Sequence, residues 1–149
     1  MPDQLPQPAR MLGFAGLLPQ VLFFALVVSD SDRYSFAAQA LAFAYAGVIF
    51  SFLGGVWWGF AARADQTPAW LWGAAVMPSL IAMASFLPWA TGALWPGPSL
   101  LVLGTGLVGA LLIDRQLVAL GIGPPWWMRL RVPLSLGLGG LTIGIGLLA

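Results

Sequence analysis

The stretch SFAAQALAFAYAGVIFSFLGGVWWGFAA, residues 35–62, decides the fold, because it carries no charge and is broken only by Gln39, Tyr45 and Ser51. A helix rising ~1.5 Å per residue needs about 20 such residues to cross the ~30 Å hydrocarbon core of a bilayer. The segment exceeds that length, so the predicted span is tilted or protrudes at one end.

Outward from it, the same pattern returns four times. Met11 to Val28 is apolar apart from Gln20 and gives span 1, with the polar loop Ser29 to Tyr34 behind it. Arg10 ahead of an apolar run also fits the start of a signal peptide. The run is long for that role and ends without a small-residue cleavage site, so an uncleaved span is expected. MPDQLPQPAR holds three of the 12 prolines and reads as an unstructured tail over 1–10, ahead of a single five-span domain over 11–149. After Arg63-Ala64-Asp65-Gln66, the pair Thr67-Pro68 supplies a helix start. Span 3 then runs from about Ala69 to Leu87 with Pro78 inside it. Pro88, Gly92, Pro96, Gly97 and Pro98 mark an uncharged connector. Span 4 is expected from Ser99 to Ile113, short and closed by Asp114-Arg115. Gln116 to Met128 reads as interfacial, and span 5 covers Val132 to Leu148. The expected fold is an all-α, polytopic bundle of about five transmembrane helices.

Composition agrees. Hydrophobic residues make up 60% of the chain and charged residues 7%, against about 25% in a soluble domain. No soluble surface can be built from so few charges. The chain lacks Cys, His, Lys, Glu and Asn entirely. Missing Cys and His remove the usual ligands for zinc, haem and iron–sulfur sites, so no metal or other cofactor is expected. Missing Lys removes the Schiff-base chemistry of retinal or pyridoxal phosphate. A net charge of +1 gives no reason to expect nucleic acid as a partner.

Five spans place Arg10, Arg63, Arg115, Arg129 and Arg131 on one side and Arg33 alone on the other. Positive charge accumulates in cytoplasmic loops, so the N-terminus is expected inside and the C-terminus outside a bacterial inner membrane. Trp57, Trp58, Trp70, Trp72, Trp126 and Trp127 fall toward the inner interface, and Trp89 and Trp95 toward the outer one. That distribution matches an aromatic belt at each headgroup level.

Helices associate in a membrane through close packing, for which glycine leaves room. Gly55 with Gly59 and Gly140 with Gly144 are four apart, Gly54 adjoins the first pair, and Gly106 with Ala110 is a weaker version. These grooves either pack the bundle internally or offer a face to a second copy or another membrane protein. Pro19 and Pro78 free backbone carbonyls inside spans 1 and 3, with Gln20 and Ser79 as nearby donors. The two kinks either shape the helices or line a polar pocket.

The string Ser51-Phe52-Leu53-Gly54-Gly55-Val56-Trp57-Trp58-Gly59 resembles the signature of a family of small bacterial membrane proteins of unknown function. That family also includes the animal mitochondrial transmembrane protein 69. Leu12-Gly13-Phe14-Ala15-Gly16-Leu17-Leu18-Pro19 is similar to its opening, and Asp114-Arg115, Pro125-Trp126-Trp127 and Leu130-Arg131 to its late segment. The resemblance implies a compact helical membrane protein and brings no activity with it.

The best candidate site is the charged cluster at the inner interface: Arg63, Asp114, Arg115, Arg129 and Arg131, with Trp57, Trp58, Trp126 and Trp127 beside it. Asp114 is expected to pair with Arg63 or Arg129 and tie the ends of spans 2, 4 and 5 together. Alternatively, the arginines hold an anionic lipid headgroup, whose phosphate suits their planar fork, or simply anchor the inner side. Span centres free of ionisable residues argue against a coupled pump. With no nucleophile–base pair, the protein is not expected to be an enzyme. The leading expectation is a non-catalytic scaffold or accessory protein acting through helix packing and anionic lipid. The second is a protein that binds or transports a small apolar or amphipathic molecule, for which an aromatic cavity among spans 1, 2 and 3 would speak.

Overall fold

A computed structural model of the chain describes residues 3–29 and 32–149. Among the described residues, five helical stretches are long and apolar enough to cross a membrane: Gln7–Val28, Ser35–Arg63, Ala69–Ala90, Gly97–Ala119 and Trp127–Leu148. The chain is an all-helical, multi-pass membrane protein. Its elements are α1 (Gln7–Ala15), α2 (Leu18–Val28), α3 (Ser35–Arg63), α4 (Ala69–Ala84), α5 (Leu87–Ala90), α6 (Gly97–Ala119) and α7 (Trp127–Leu148).

Four boundaries depart from the sequence reading; one is span 5, which starts at Trp127 rather than Val132, so the segment expected to be interfacial shrinks to the turn between Ala119 and Trp127. The first helix begins at Gln7 rather than Met11, because Pro8 stands in the first turn, where its missing N–H has no intrahelical partner to lose. Residues 7–10 therefore belong to the bundle and not to a tail; Met1 and Pro2 lie outside the described residues, as do Asp30 and Ser31 of the first loop. Span 1 is two helices, broken at Gly16-Leu17 just ahead of Pro19. At that break Tyr45 of α3 donates its hydroxyl to the Gly16 carbonyl. Span 4 is not short, since α6 starts at Gly97 and continues to Ala119, well past Ile113.

Helix α3 is the centre of the bundle and packs on α2, α4, α6 and α7. Its inward face reads Ala38, Ala42, Ala46, Phe50, Leu53, Trp57 and Ala61, all buried. Steps of three and four keep these residues on one side of a 3.6-residue helix. Small residues fill its first half, so the neighbouring helices approach closely there. Gln20 of α2 uses that approach: its Nε2 donates to the Ala42 carbonyl (3.3 Å) and to Thr142 Oγ1 of α7 (2.7 Å). Spans 1, 2 and 5 are thereby bolted together at a fully buried point.

The largest helix–helix interface joins α6 and α7, and glycine makes it possible. A Cβ on Gly104 would stand 2.9 Å from the Gly139 carbonyl oxygen, and one on Gly139 would stand 2.9 Å from the Gly104 carbonyl oxygen. One end of the pair repeats the arrangement, where a Cβ on Gly146 would stand 3.1 Å from the Gly97 carbonyl oxygen. The glycines on each helix are seven residues apart, the spacing that returns to one face of a helix pair.

The expected packing glycines are mostly elsewhere. Gly55, Gly59 and Gly140 face open space, and Gly144 meets only the Phe24 ring. Gly54 is the inward member of its run and lies against the Ala75 carbonyl and the Pro78 ring of α4. Spacing by four sets a common face without saying which way it points; here the Gly55–Gly59 face points out of the bundle. Pro78 is thus a packing residue on Gly54, and neither it nor Pro19 lines the principal cavity of the bundle.

Candidate functional site

Helix α6 continues past Ile113 because Arg115-Gln116-Leu117-Val118-Ala119 contains no breaker. It stops where glycine allows a left-handed turn. Gly121 has φ +71°, its N–H donates to the Val118 carbonyl (3.0 Å), and the Ile122 N–H reaches back to Leu117 (2.9 Å). This paired closure satisfies carbonyls that the helix end would leave bare. Asp114 is consequently not in a loop. It sits inside α6, fully buried, facing α3 and α7.

Three donors converge on it. Trp57 Nε1 from α3 and Trp127 Nε1 from α7 donate to Oδ1 at 2.9 and 2.8 Å. Arg131 Nε, one turn further along α7, donates to Oδ2 at 2.9 Å. Trp127 and Arg131 are four apart and therefore share a helix face. Arg131 also donates through Nη2 to Ser135 Oγ, again four residues on. Phe60 stands edge-on to the Trp127 ring at 5.2 Å and closes the site from α3.

The ion pair is Asp114–Arg131, and it corrects the expected partners Arg63 and Arg129. With α6 extended to Ala119, Asp114 lies a turn and a half inside the helix, level with Arg131 and below the reach of the other two. Arg63 is exposed at the end of α3, and Arg115 is exposed on α6. Arg129 is exposed and donates to the backbone carbonyl of Asp3. Trp58 points away from the site and stacks edge-to-face on Trp72 at 4.7 Å. Trp57 and Trp127, expected in an interfacial belt, are buried hydrogen-bond donors instead. A buried pair of charges is costly unless further hydrogen bonds compensate for lost water; here the indoles and Ser135 supply them.

Beside this cluster opens a cavity of about 1230 Å³, walled by α1, α3, α7 and the α6–α7 loop. Its mouth carries Arg63, Asp65, Gln66 and Trp126, and Arg131 and Ser135 lie on its wall. Deeper in, the lining is apolar, including Leu12, Leu17, Ile49, Leu53 and Leu138. From Arg63 down α3 to Ile49, at ~1.5 Å per residue, the groove is about 21 Å deep. Half of a ~40–45 Å bilayer including headgroups is the same length. The cavity involves spans 1, 2, 4 and 5, and not the spans 1, 2 and 3 among which an aromatic cavity would have spoken for binding.

Sequence reasoning missed Ser135, Thr142 and the cavity itself, and it gave Gln20 the wrong acceptor: the amide serves Ala42 and Thr142 of neighbouring helices, not a carbonyl freed by Pro19. The i, i+4 series Trp127, Arg131, Ser135 was the legible signal for the first; Gln20 and Thr142 are too far apart in sequence to suggest each other.

The chain matches, over residues 5–148, the family described as "Protein of unknown function (DUF3429)". It is also 34% identical over 133 residues to Transmembrane protein 69 of Xenopus tropicalis, a match covering 87% of this chain and 50% of that protein. The chain thus spans about half the length of that curated relative. No solved structure matches. The chain belongs to the DUF3429 family.

Proposed function

We propose, with membership of that family as the premise, that this chain is a non-catalytic binding protein for an amphipathic, lipid-like molecule. The molecule's apolar part lies in the groove among α1, α3 and α7, and its polar end lies at the Arg63–Asp65 mouth. One observation carries the reading: the cavity is as deep as a single leaflet, polar at its mouth and apolar below. Its volume of about 1230 Å³ exceeds the ~300–1,000 Å³ of ordinary small-molecule pockets. Helix α1, which buries none of its residues, is the wall through which a lipid would enter from the side.

The arginine distribution supports an inner-membrane orientation with the N-terminus cytoplasmic and the C-terminus external. On that orientation the groove opens to the inner leaflet. The scaffold reading rests on the outward Gly55–Gly59 face, which has space for a close neighbour. The open cavity gives the binding reading the firmer ground.

The test is native mass spectrometry of protein gently extracted from membranes, with Val56→Trp as the cavity-filling variant. Val56 lines the groove and is only half-buried, so a larger ring there occupies ligand space. Wild type should retain a defined amphiphile at one per chain, and the variant should lose it while keeping its helical content. A lipid-free wild type found as a dimer or with a protein partner would return the chain to the scaffold reading.

A further inference from the structure

The charges around the cavity say more about the polar end of its ligand than about the ligand's size. Arg63 ends α3, and Asp65 follows two residues later in the turn, so their Cα atoms are at most ~7 Å apart. Both line the same mouth. Neither is paired with the other, and among the described residues neither has an ion-pair partner elsewhere. Among the described residues, the mouth therefore presents one unpaired cation and one unpaired anion side by side.

Arg131 lies deeper on the wall and is 95% buried, only 5% exposed. Its guanidinium has five N–H donors, of which one goes to Asp114 and one to Ser135. Its charge is already balanced by a carboxylate at 2.9 Å. Such a group has donors to offer but no net positive charge to neutralise. It favours a neutral acceptor, such as an ester carbonyl, over a second anion.

We propose, building on the binding function above, that the ligand is a zwitterionic glycerophospholipid with an aminoalcohol headgroup. Its phosphate lies on Arg63, its ammonium on Asp65 with Gln66 beside them, and an ester carbonyl takes the spare donors of Arg131. The order from mouth to floor then follows the order of groups along the lipid: ammonium and phosphate, ester, hydrocarbon. An anionic lipid with a neutral glycerol headgroup would satisfy Arg63 but would hold its phosphate beside an unanswered Asp65. Two adjacent like charges repel, and in the partly dehydrated headgroup layer water screens them less than it does in bulk.

The experiment uses the full-length protein reconstituted in vesicles of equal phosphatidylethanolamine and phosphatidylglycerol with identical acyl chains. Retained lipid is counted by native mass spectrometry after gentle extraction. Wild type should retain phosphatidylethanolamine over phosphatidylglycerol by roughly two- to fivefold, the range of one exposed ion pair. Asp65→Asn should erase or reverse that preference, Asp65→Glu should keep it, and Arg63→Gln should weaken retention of both lipids. Asp3→Asn, which alters an exposed carboxylate outside the cavity lining, should change nothing. Equal or greater retention of phosphatidylglycerol by wild type, or an unchanged ratio in Asp65→Asn, overturns the headgroup assignment and leaves the cavity as a lipid site of other specificity. No retained lipid of either class, or retention unaffected by Val56→Trp, overturns the binding function itself and this assignment with it.

Discussion

Replacing Asp114 by Asn tests the centre of the site with one atom's change. In wild type Oδ1 accepts two indole N–H groups and Oδ2 accepts the Arg131 guanidinium. An amide cannot do both. With its oxygen toward the indoles, the NH2 meets Arg131 Nε, donor against donor. Flipped, the NH2 meets both indoles. In either pose a guanidinium that is only 5% exposed loses its counter-charge. Breaking a buried pair by removing one partner costs about 3–5 kcal/mol. Arg131 touches the cavity and can borrow water there, so a loss near the lower end, about 3 kcal/mol, is expected. That is well above the ~0.6 kcal/mol average of an ordinary interhelical hydrogen bond in a membrane, so the two are distinguishable. The assay is reversible unfolding in a bilayer mimetic, completed as a cycle with Arg131→Gln and the double variant. A coupling energy of about 2 kcal/mol is expected, within the ~0.5–3 kcal/mol seen for contacting residues. A single-variant loss below about 1 kcal/mol, or an additive cycle, would refute the idea that this pair locks α6 to α7.

Other substitutions separate the packing claims by the same unfolding measurement. Gly104→Ala drives a methyl into the backbone of α7 and should cost about 1–3 kcal/mol, the usual range for overpacking, whereas Gly140→Ala, in open space, should stay within about 0.5 kcal/mol. Equal effects would mean that the α6–α7 contact is misplaced. Gln20→Leu removes the bolt to Thr142 and Ala42 and should cost about 1 kcal/mol, inside the ~0.6–1.7 kcal/mol range for polar contacts between membrane helices. Trp127→Phe keeps the ring contact with Phe60 but loses a donor to a charged acceptor, so about 1.5–3 kcal/mol is expected. Trp58→Phe, remote from Asp114, should be close to neutral, and a loss as large as that of Trp127→Phe would contradict the donor assignment.

The order of residues alone specified the solvent, the number of crossings and the class of fold. Hydropathy and the length of a helix are local quantities, so the charge-free run from Ser35 to Ala62 specifies a span without reference to anything else. The concentration of arginine and tryptophan around residues 57–63 and 114–131 also marked the end of the bundle where the site lies. What it left open was direction around each helix axis. In a soluble protein polar residues label the outward face, but in a membrane both faces are apolar. Gly54 and Gly55 therefore look alike in sequence, while only Gly54 meets α4. The partner of Asp114 depended on where α6 ends, and that rested on the Gly121 turn and on α7 holding Trp127 and Arg131 at one level. The cavity had no sequence signature at all, because it is the space enclosed between α1, which buries no residue of its own, α3 and α7. Only the packing of helices remote in sequence decides such a space.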